Sequence, residues 1–213
     1  MVADAPAGTP RRNPVLPPRE RILAAVRELF DAHGIRAVSV DAIAEAAQSN
    51  KMTLYRHFES KDELVAEYLR GLAAQAEAQW DALDRNFPGD PERQLHAWFD
   101  FCCEEMASGA KRGCPFANAA VELPERDHPA RAVIESVKTR HRAKLAELCR
   151  GARFAEPERL ADEIVLLLEG ARVDIQSVGP CGPGSRIIQM IRALISSHPK
   201  STTGAGNGRP RDL

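Results

Sequence analysis

Residues 39–58, SVDAIAEAAQSNKMTLYRHF, decide how the rest of the chain is read. Val40, Ile43, Ala44 and Ala47 recur at i, i+3, i+4 and i+7, the spacing of one helical face. Ser39 stands just before that face, where its side-chain oxygen can accept a free backbone N–H as a cap. Asp41, in the first turn, suits the positive end of the helix dipole. Gln48, Ser49 and Asn50 interrupt the apolar pattern, and Asn50 is placed to cap a second helix running from Lys51 to Phe58. That helix mixes basic, hydroxyl and aromatic groups at close spacing. The pair reads as a helix-turn-helix, in which the first helix braces and the second enters the major groove of DNA.

On this reading, Lys51, Met52, Thr53 and Arg56 are the candidates for base edges: arginine reaches guanine bidentately and threonine meets a thymine methyl. Tyr55, His57 and Lys61 are candidates for phosphate contacts, which fix register without reading sequence. Lys61 falls in the first turn of the next helix, whose N-terminus also favours a phosphate. Ser39 completes the DNA-facing set. The plainer reading is a helical surface whose tyrosine and histidine cap a small core.

The flanks are helical throughout. Ile22, Leu23, Val26, Leu29 and Phe30 form an apolar stripe on a helix over 18–33, and Gly34 suits the left-handed position that ends it. Ser60 and Glu63 make a capping-box signature. A long helix follows to about Asn86, with Leu64, Tyr68, Leu69, Leu72, Trp80 and Leu83 apolar, and the Pro-Gly-Asp-Pro run at 88–91 breaks it. Further helices are predicted over 91–108, 115–124, 128–150, 157–178 and 184–197. The fold class is all-α with about nine helices and no strand pattern. The expected division is an arm over 1–18, a DNA-binding domain over 19–65, a ligand-binding and dimerisation domain over 66–198, and a polar tail over 199–213. Arg11, Arg12 and Arg19 give the arm a basic character that can reach phosphates or the minor groove; a solubilising tail explains them equally well.

The chain has 213 residues and a net charge of −1, so any DNA affinity comes from a local arrangement of cations. No apolar run is long enough to span a bilayer and no signal-peptide core is present; a cytoplasmic location and no membrane partner follow by elimination. The five cysteines, Cys102, Cys103, Cys114, Cys149 and Cys181, are odd in number with no Cys-x-x-Cys pair. Free thiols acting mainly as core filler are expected. Gly-rich phosphate loops, nucleophile elbows and His-Glu-x-x-His pairs are missing, and Glu104 and Glu105 lack the Glu-x-x-His partner of a helical carboxylate metal site. The sequence therefore points to no catalytic residue, no metal and no cofactor.

The glycine-ended helix, Ser39-Val40-x-x-Ile43-Ala44, the turn, Thr53-Leu54-Tyr55-x-His57-Phe58 and Ser60-Lys61-x-Glu63-Leu64 together resemble the DNA-binding domain of the TetR family of bacterial transcriptional regulators, over about residues 19–70. Gln48-Ser49-Asn50 departs from the Gly-Val-Ser usual there, and Met52 replaces a residue that is often small. The stretch RGCPFANAAVELP, residues 112–124, resembles a segment found in a subset of the family's ligand-binding domains. The resemblance implies a dimeric regulator, most commonly a repressor of a palindromic double-stranded operator, released by a small-molecule effector of unknown identity.

Two further sets of residues follow. Trp98, Phe99, Cys102, Met106, Phe116, Asn118, Val137 and His141 are the candidates to line an apolar pocket with a few polar groups. Leu167, Ala171, Ile175, Ile188, Ile191 and Ile195 are the candidates for a homodimer interface, since in the family the last two helices build a four-helix bundle with the mate. Cys114, near a helix N-terminus beside Lys111 and Arg112, is either a small residue fixing a loop or a reactive thiol sensing electrophiles or oxidants. The alternatives to an effector-released repressor are that thiol sensor and a ligand-independent dimeric DNA-binding protein.

Overall fold

Prolines set the starts of most helices. A proline costs nothing at the first helical position, where its missing N–H would have no partner. Pro18, Pro91, Pro115, Pro129 and Pro157 each open one. In the computed structural model, which describes residues 16–108 and 112–201, the order is α1 Pro18–His33, α2 Val40–Ala46, α3 Lys51–His57, α4 Lys61–Asn86, α5 Pro91–Ala107, α6 Pro115–Glu122, α7 Pro129–Gly151, α8 Pro157–Val178, a 3-10 turn Pro183–Arg186 and α9 Ile187–Ser197. Among the described residues there is no strand, only an isolated antiparallel bridge between Phe154 and Lys200. The expectations for Arg11, Arg12, Lys111 and the chain beyond 201 lie outside the described residues.

The helix starts and stops agree closely with the periodic reading, with two differences. The segment expected to open the last helix at 184 begins as a 3-10 turn, because Gly184 N–H is drawn to Asp174 Oδ2 at 2.7 Å. Residues 199–201, expected to belong to the tail, make contacts with the body. Ala155 N–H donates to Pro199 O at 2.9 Å, and Lys200 Nζ sits 3.9 Å from the Phe154 ring centroid. Residues 199–201 are thus fastened to the turn between α7 and α8.

Two apolar cores divide the molecule. The first gathers Ile22, Val26, Phe30, Ile43, Leu54, Phe58, Leu64, Tyr68 and Leu69 from α1–α4, but also Phe116 and Ala119 of α6 and Ala130, Ile134 and Val137 of α7. The second gathers Trp80, Trp98, Phe99, Leu145, Leu160, Ile164, Leu168, Ile187 and Ile191. The expected boundary between 65 and 66 therefore falls inside α4 and inside one continuous cluster. Phe116 and Ala119 of α6 are buried in the same cluster.

Candidate nucleic-acid interface and effector cavity

The turn of the helix-turn-helix is held by backbone. Ser49 N–H donates to Ala44 O at 2.8 Å and Gln48 N–H to Glu45 O at 2.9 Å. Gln48 takes φ +48°, the left-handed region, at the point where the resembling family carries glycine. Both expected caps form: Ser39 Oγ accepts from Ala42 N–H at 3.1 Å and Asn50 Oδ1 from Thr53 N–H at 2.9 Å. Leu54 and Phe58 bury one side of α3 in the first core. The opposite side then faces outward, with Lys51, Met52, Tyr55, Arg56 and His57 exposed, Thr53 half-buried and Ser39 exposed beside them.

Three cations near this surface are already engaged. Lys51 Nζ pairs with Asp41 at 2.9 Å, with both side chains open to solvent. Such a pair is weak and exchanges readily for phosphate. Lys61 is held as well: its Nζ donates to Ile35 O at 2.9 Å in a half-buried position, and burial lowers its pKa from the ordinary lysine value. That bond fastens the loop after α1. Arg19 is likewise drawn inward, to Glu67 and over the Phe58 ring.

A cavity of about 140 Å³ opens between α4, α5, α7 and α8, closed at one end by the start of α6. Of the expected residues, Trp98, Cys102, Phe116, Val137 and His141 line it. Phe99 does not: one residue from Trp98 on the same helix, it points about 100° away into the second core. Met106 packs at the edge of that core. Asn118 Nδ2 donates instead to Arg112 O and fixes the entry to α6.

Charged lining residues were missed from sequence: Glu105, Lys138, Glu169 and Arg172. Lys138 Nζ and Arg172 Nη1 both donate to Glu169 Oε1, at 2.8 and 3.0 Å. The signal was present, since Val165, Leu168, Glu169 and Arg172 share one helical face at i, i+3, i+4 and i+7. Lys138 Nζ also lies 3.4 Å from Cys114 Sγ. Burial pushes the thiols of Cys103 and Cys149 up to about 11, which keeps them inert, whereas Cys114 is half-buried at the cavity wall and Cys181 is exposed. Cys181 is thus not the core filler expected of it.

From the cavity, α6 runs to the head. Its last residue, Glu122, accepts from the backbone N–H of Ile35 at 2.7 Å and of Arg36 at 2.9 Å with Oε2. Gly34 makes room for this: with φ +84°, a Cβ there would come within 2.9 Å of Glu122 Oε1 and Arg112 Nη1. The Glu122 carboxylate therefore ties the loop between α1 and α2 to the helix that closes the cavity.

On α8 and α9 the expected interface set divides. Ile191, Ile195 and Ala171 are buried in the chain's own second core, Leu167 and Ile175 are half-buried, and Ile188 is exposed. Presented outward along with Ile188 are Leu166 (72% exposed), Val173, Val178 and Met190. Apolar periodicity fixes which residues are hydrophobic, but not which face the chain's own helices cover.

A three-helix head exposing a basic recognition helix, joined by one long helix to a larger helical body with an internal cavity, defines a DNA-binding transcriptional regulator of the helix-turn-helix class. Residues 22–68 match the family described as bacterial regulatory proteins, tetR family, and residues 91–191 match the tetracyclin repressor-like C-terminal domain. The chain belongs to the TetR family, whose members are regulators and not enzymes. The uncharacterized HTH-type transcriptional regulator Rv1556 of Mycobacterium tuberculosis is 36% identical over 73 residues, 34% of this chain and 35% of that protein, so the match spans about a third of that relative's length. The HTH-type regulator YjdC of Escherichia coli is 24% identical over 152 residues, 71% of this chain and 80% of that one. The crystal structure of SCO4454, a TetR-family transcriptional regulator from Streptomyces coelicolor, superimposes with a TM-score of 0.74 at 26% identity, covering 84% of this chain and 92% of that one. Among the described residues, no helix is long and apolar enough to cross a membrane, and no group of three His, Cys, Asp or Glu side chains is placed to hold a metal ion.

Proposed function

We propose that the chain is a cytoplasmic repressor that binds a palindromic double-stranded operator as a homodimer and lets it go when a small molecule fills the cavity between α4 and α8. One observation carries this reading. Helix α4 places Leu64, Val65, Tyr68 and Leu69 in the core of the head, and Leu72, Gln75, Ala76 and Gln79 in the cavity wall. A molecule that prefers one position of α4 acts on the recognition helix through a single rigid element. It shifts the equilibrium only by its difference in affinity between the two positions. The base-edge and phosphate roles of Lys51, Met52, Thr53, Tyr55, Arg56 and His57 belong to this proposal, as does a mate surface built on the outer faces of α8 and α9.

The experiment is selection of binding sites from random duplex DNA by the full-length chain. A palindrome is expected, bound by the parent. Arg56→Ala and Tyr55→Ala should each bind it at least about five-fold more weakly while remaining dimeric. Failure to enrich any palindrome, or unchanged binding by both variants, would overturn the assignment.

A second reading is favoured by the 3.4 Å approach of Lys138 Nζ to Cys114 Sγ at the cavity wall: a thiol sensor in which modification of Cys114 releases DNA. Cys114→Ser should then keep operator binding and lose its release by an alkylating agent. Release that persists in the variant rules it out. If instead no compound releases DNA, the body serves only to dimerise.

A further inference from the structure

The outer face of α3 narrows which operators the chain takes, given the reading that this helix enters the major groove. Of the large apolar side chains left exposed over residues 16–70, Leu16 precedes the first helix and the other two are both on α3: Met52 at 70% exposure and Tyr55 at 49%. They stand three residues apart and so share one helical face. That face turns away from Leu54, which is buried in the first core. Tyr55 ends in a hydroxyl that a phosphate can accept. Met52 ends in a thioether and a methyl group.

The first residues of a recognition helix are the ones that meet base edges. Around Met52 they have other engagements. Asn50, a residue type that reads adenine with its oxygen and nitrogen together, has its Oδ1 on Thr53 N–H at 2.9 Å. Lys51 is a cation paired with Asp41 at 2.9 Å, and a phosphate can take the place of that carboxylate. Thr53 is half-buried. Met52 extends outward with no hydrogen bond to give up. A thioether carries no charge, donates nothing and accepts only weakly, so it gains little from a phosphate or from the donors and acceptors of a base pair. The major-groove edges of the bases offer one apolar group, the C5-methyl of thymine. An unbranched, polarisable side chain adapts well to packing on it.

We propose that Met52 selects a thymine in each operator half-site by packing on its C5-methyl group, so that the chain's operators carry thymine at that step. What is read there is the methyl group and not the hydrogen-bonding pattern of the base pair.

Deoxyuridine keeps the base pairing, the O4 acceptor and the backbone of thymidine and lacks only the methyl group. In the operator selected by the full-length chain, each thymine of the half-site is replaced by deoxyuridine in turn, at the symmetric positions of both half-sites, and affinity is read by fluorescence anisotropy. Taking one methyl group out of water is worth about four-fold per half-site. At one step, therefore, the replacement should weaken binding by the parent about ten-fold or more. Met52→Ala should bind the thymine operator more weakly and be indifferent to deoxyuridine at that step. Met52→Leu, still apolar, should keep part of the difference. Binding to a random duplex at low salt reports the phosphate contacts, and equal values for parent and variants certify that the heads are folded. An operator with no thymine in its half-sites, or deoxyuridine that changes nothing at any step, overturns the selection of thymine. So does a loss that Met52→Ala shares in full at every step, since it then comes from the shape of the duplex. Each of these results leaves the regulator reading standing. A chain that enriches no operator overturns both.

Discussion

Gln48 holds a left-handed backbone with a side chain attached, at φ +48°. Single residues in this region cost on the order of 1–2 kcal/mol unless they are glycine. Glycine in turn has more unfolded-state freedom to lose, which takes back roughly 0.5–1 kcal/mol. Gln48→Gly should therefore stabilise the fold by about 0.5–1 kcal/mol, read as a higher urea midpoint with an unchanged slope; a lower midpoint would show that the turn is unstrained. His141 sets a pH dependence. Its pKa is about 4 in the folded chain against 6.5 when free, so the unfolded state binds its proton first. Stability from this group is complete above pH 6.5 and declines as pH falls toward 4, by about 3 kcal/mol in all. Denaturation curves across that interval should lose this part of their slope in His141→Phe, and parallel curves would refute it. At this scale the caps were legible, because Ser39 and Asn50 each precede by three residues the N–H that they accept. Lys61 was not: its partner Ile35 is 26 positions away, and no local spacing encodes such a contact.

Helices could be placed from residue type alone where chemistry is local. Proline at the first position, a polar cap and a stripe at 3.6-residue spacing determine α1, α4, α5, α7 and α8 within a residue or two. What they pack against was less legible. The short α6 is closed off by Pro115 and Pro124 in the sequence, yet its burial in the head and the reach of Glu122 to Ile35 and Arg36 depend on a contact across 86 and 87 positions. Removing that carboxylate leaves two backbone donors without a partner. Glu122→Ala should cost about 1–2 kcal/mol of stability and speed amide exchange at Ile35 and Arg36, whereas Glu122→Gln, which keeps an oxygen acceptor, should retain most of the protection. Unchanged exchange in the alanine variant would mean that the contact carries no load. If ligand reaches DNA through α6 as well as α4, the alanine variant also binds effector normally and releases operator less completely.

For the molecule as a whole, the proposed mate surface on the outward apolar residues of α8 and α9 is what would let two recognition helices act as a pair. A single module of this size makes too few base contacts to select a genomic site, and two-fold pairing multiplies them. Leu166 and Met190 are exposed on α8 and α9, so Leu166→Arg with Met190→Arg should give a folded monomer by sedimentation and weaken operator binding by at least about ten-fold. A variant still dimeric would place the mate surface elsewhere. Ile191→Arg, by contrast, should unfold the body, since that side chain has no exposure at all. The two cores bear also on how such regulators can be recombined. A graft that joins residues 16–65 to the body of another regulator would cut between Val65 and Ala66, through the cluster that also holds Tyr68, Leu69, Phe116, Ile134 and Val137. The transplanted head would arrive with part of its core missing and would depend on foreign side chains to fill it. The transferable unit is discontinuous: α1–α3, α4 as far as Ala73, α6 and the opening turns of α7 share one core, and a working chimera in this fold has to exchange that set, with the body redesigned around it.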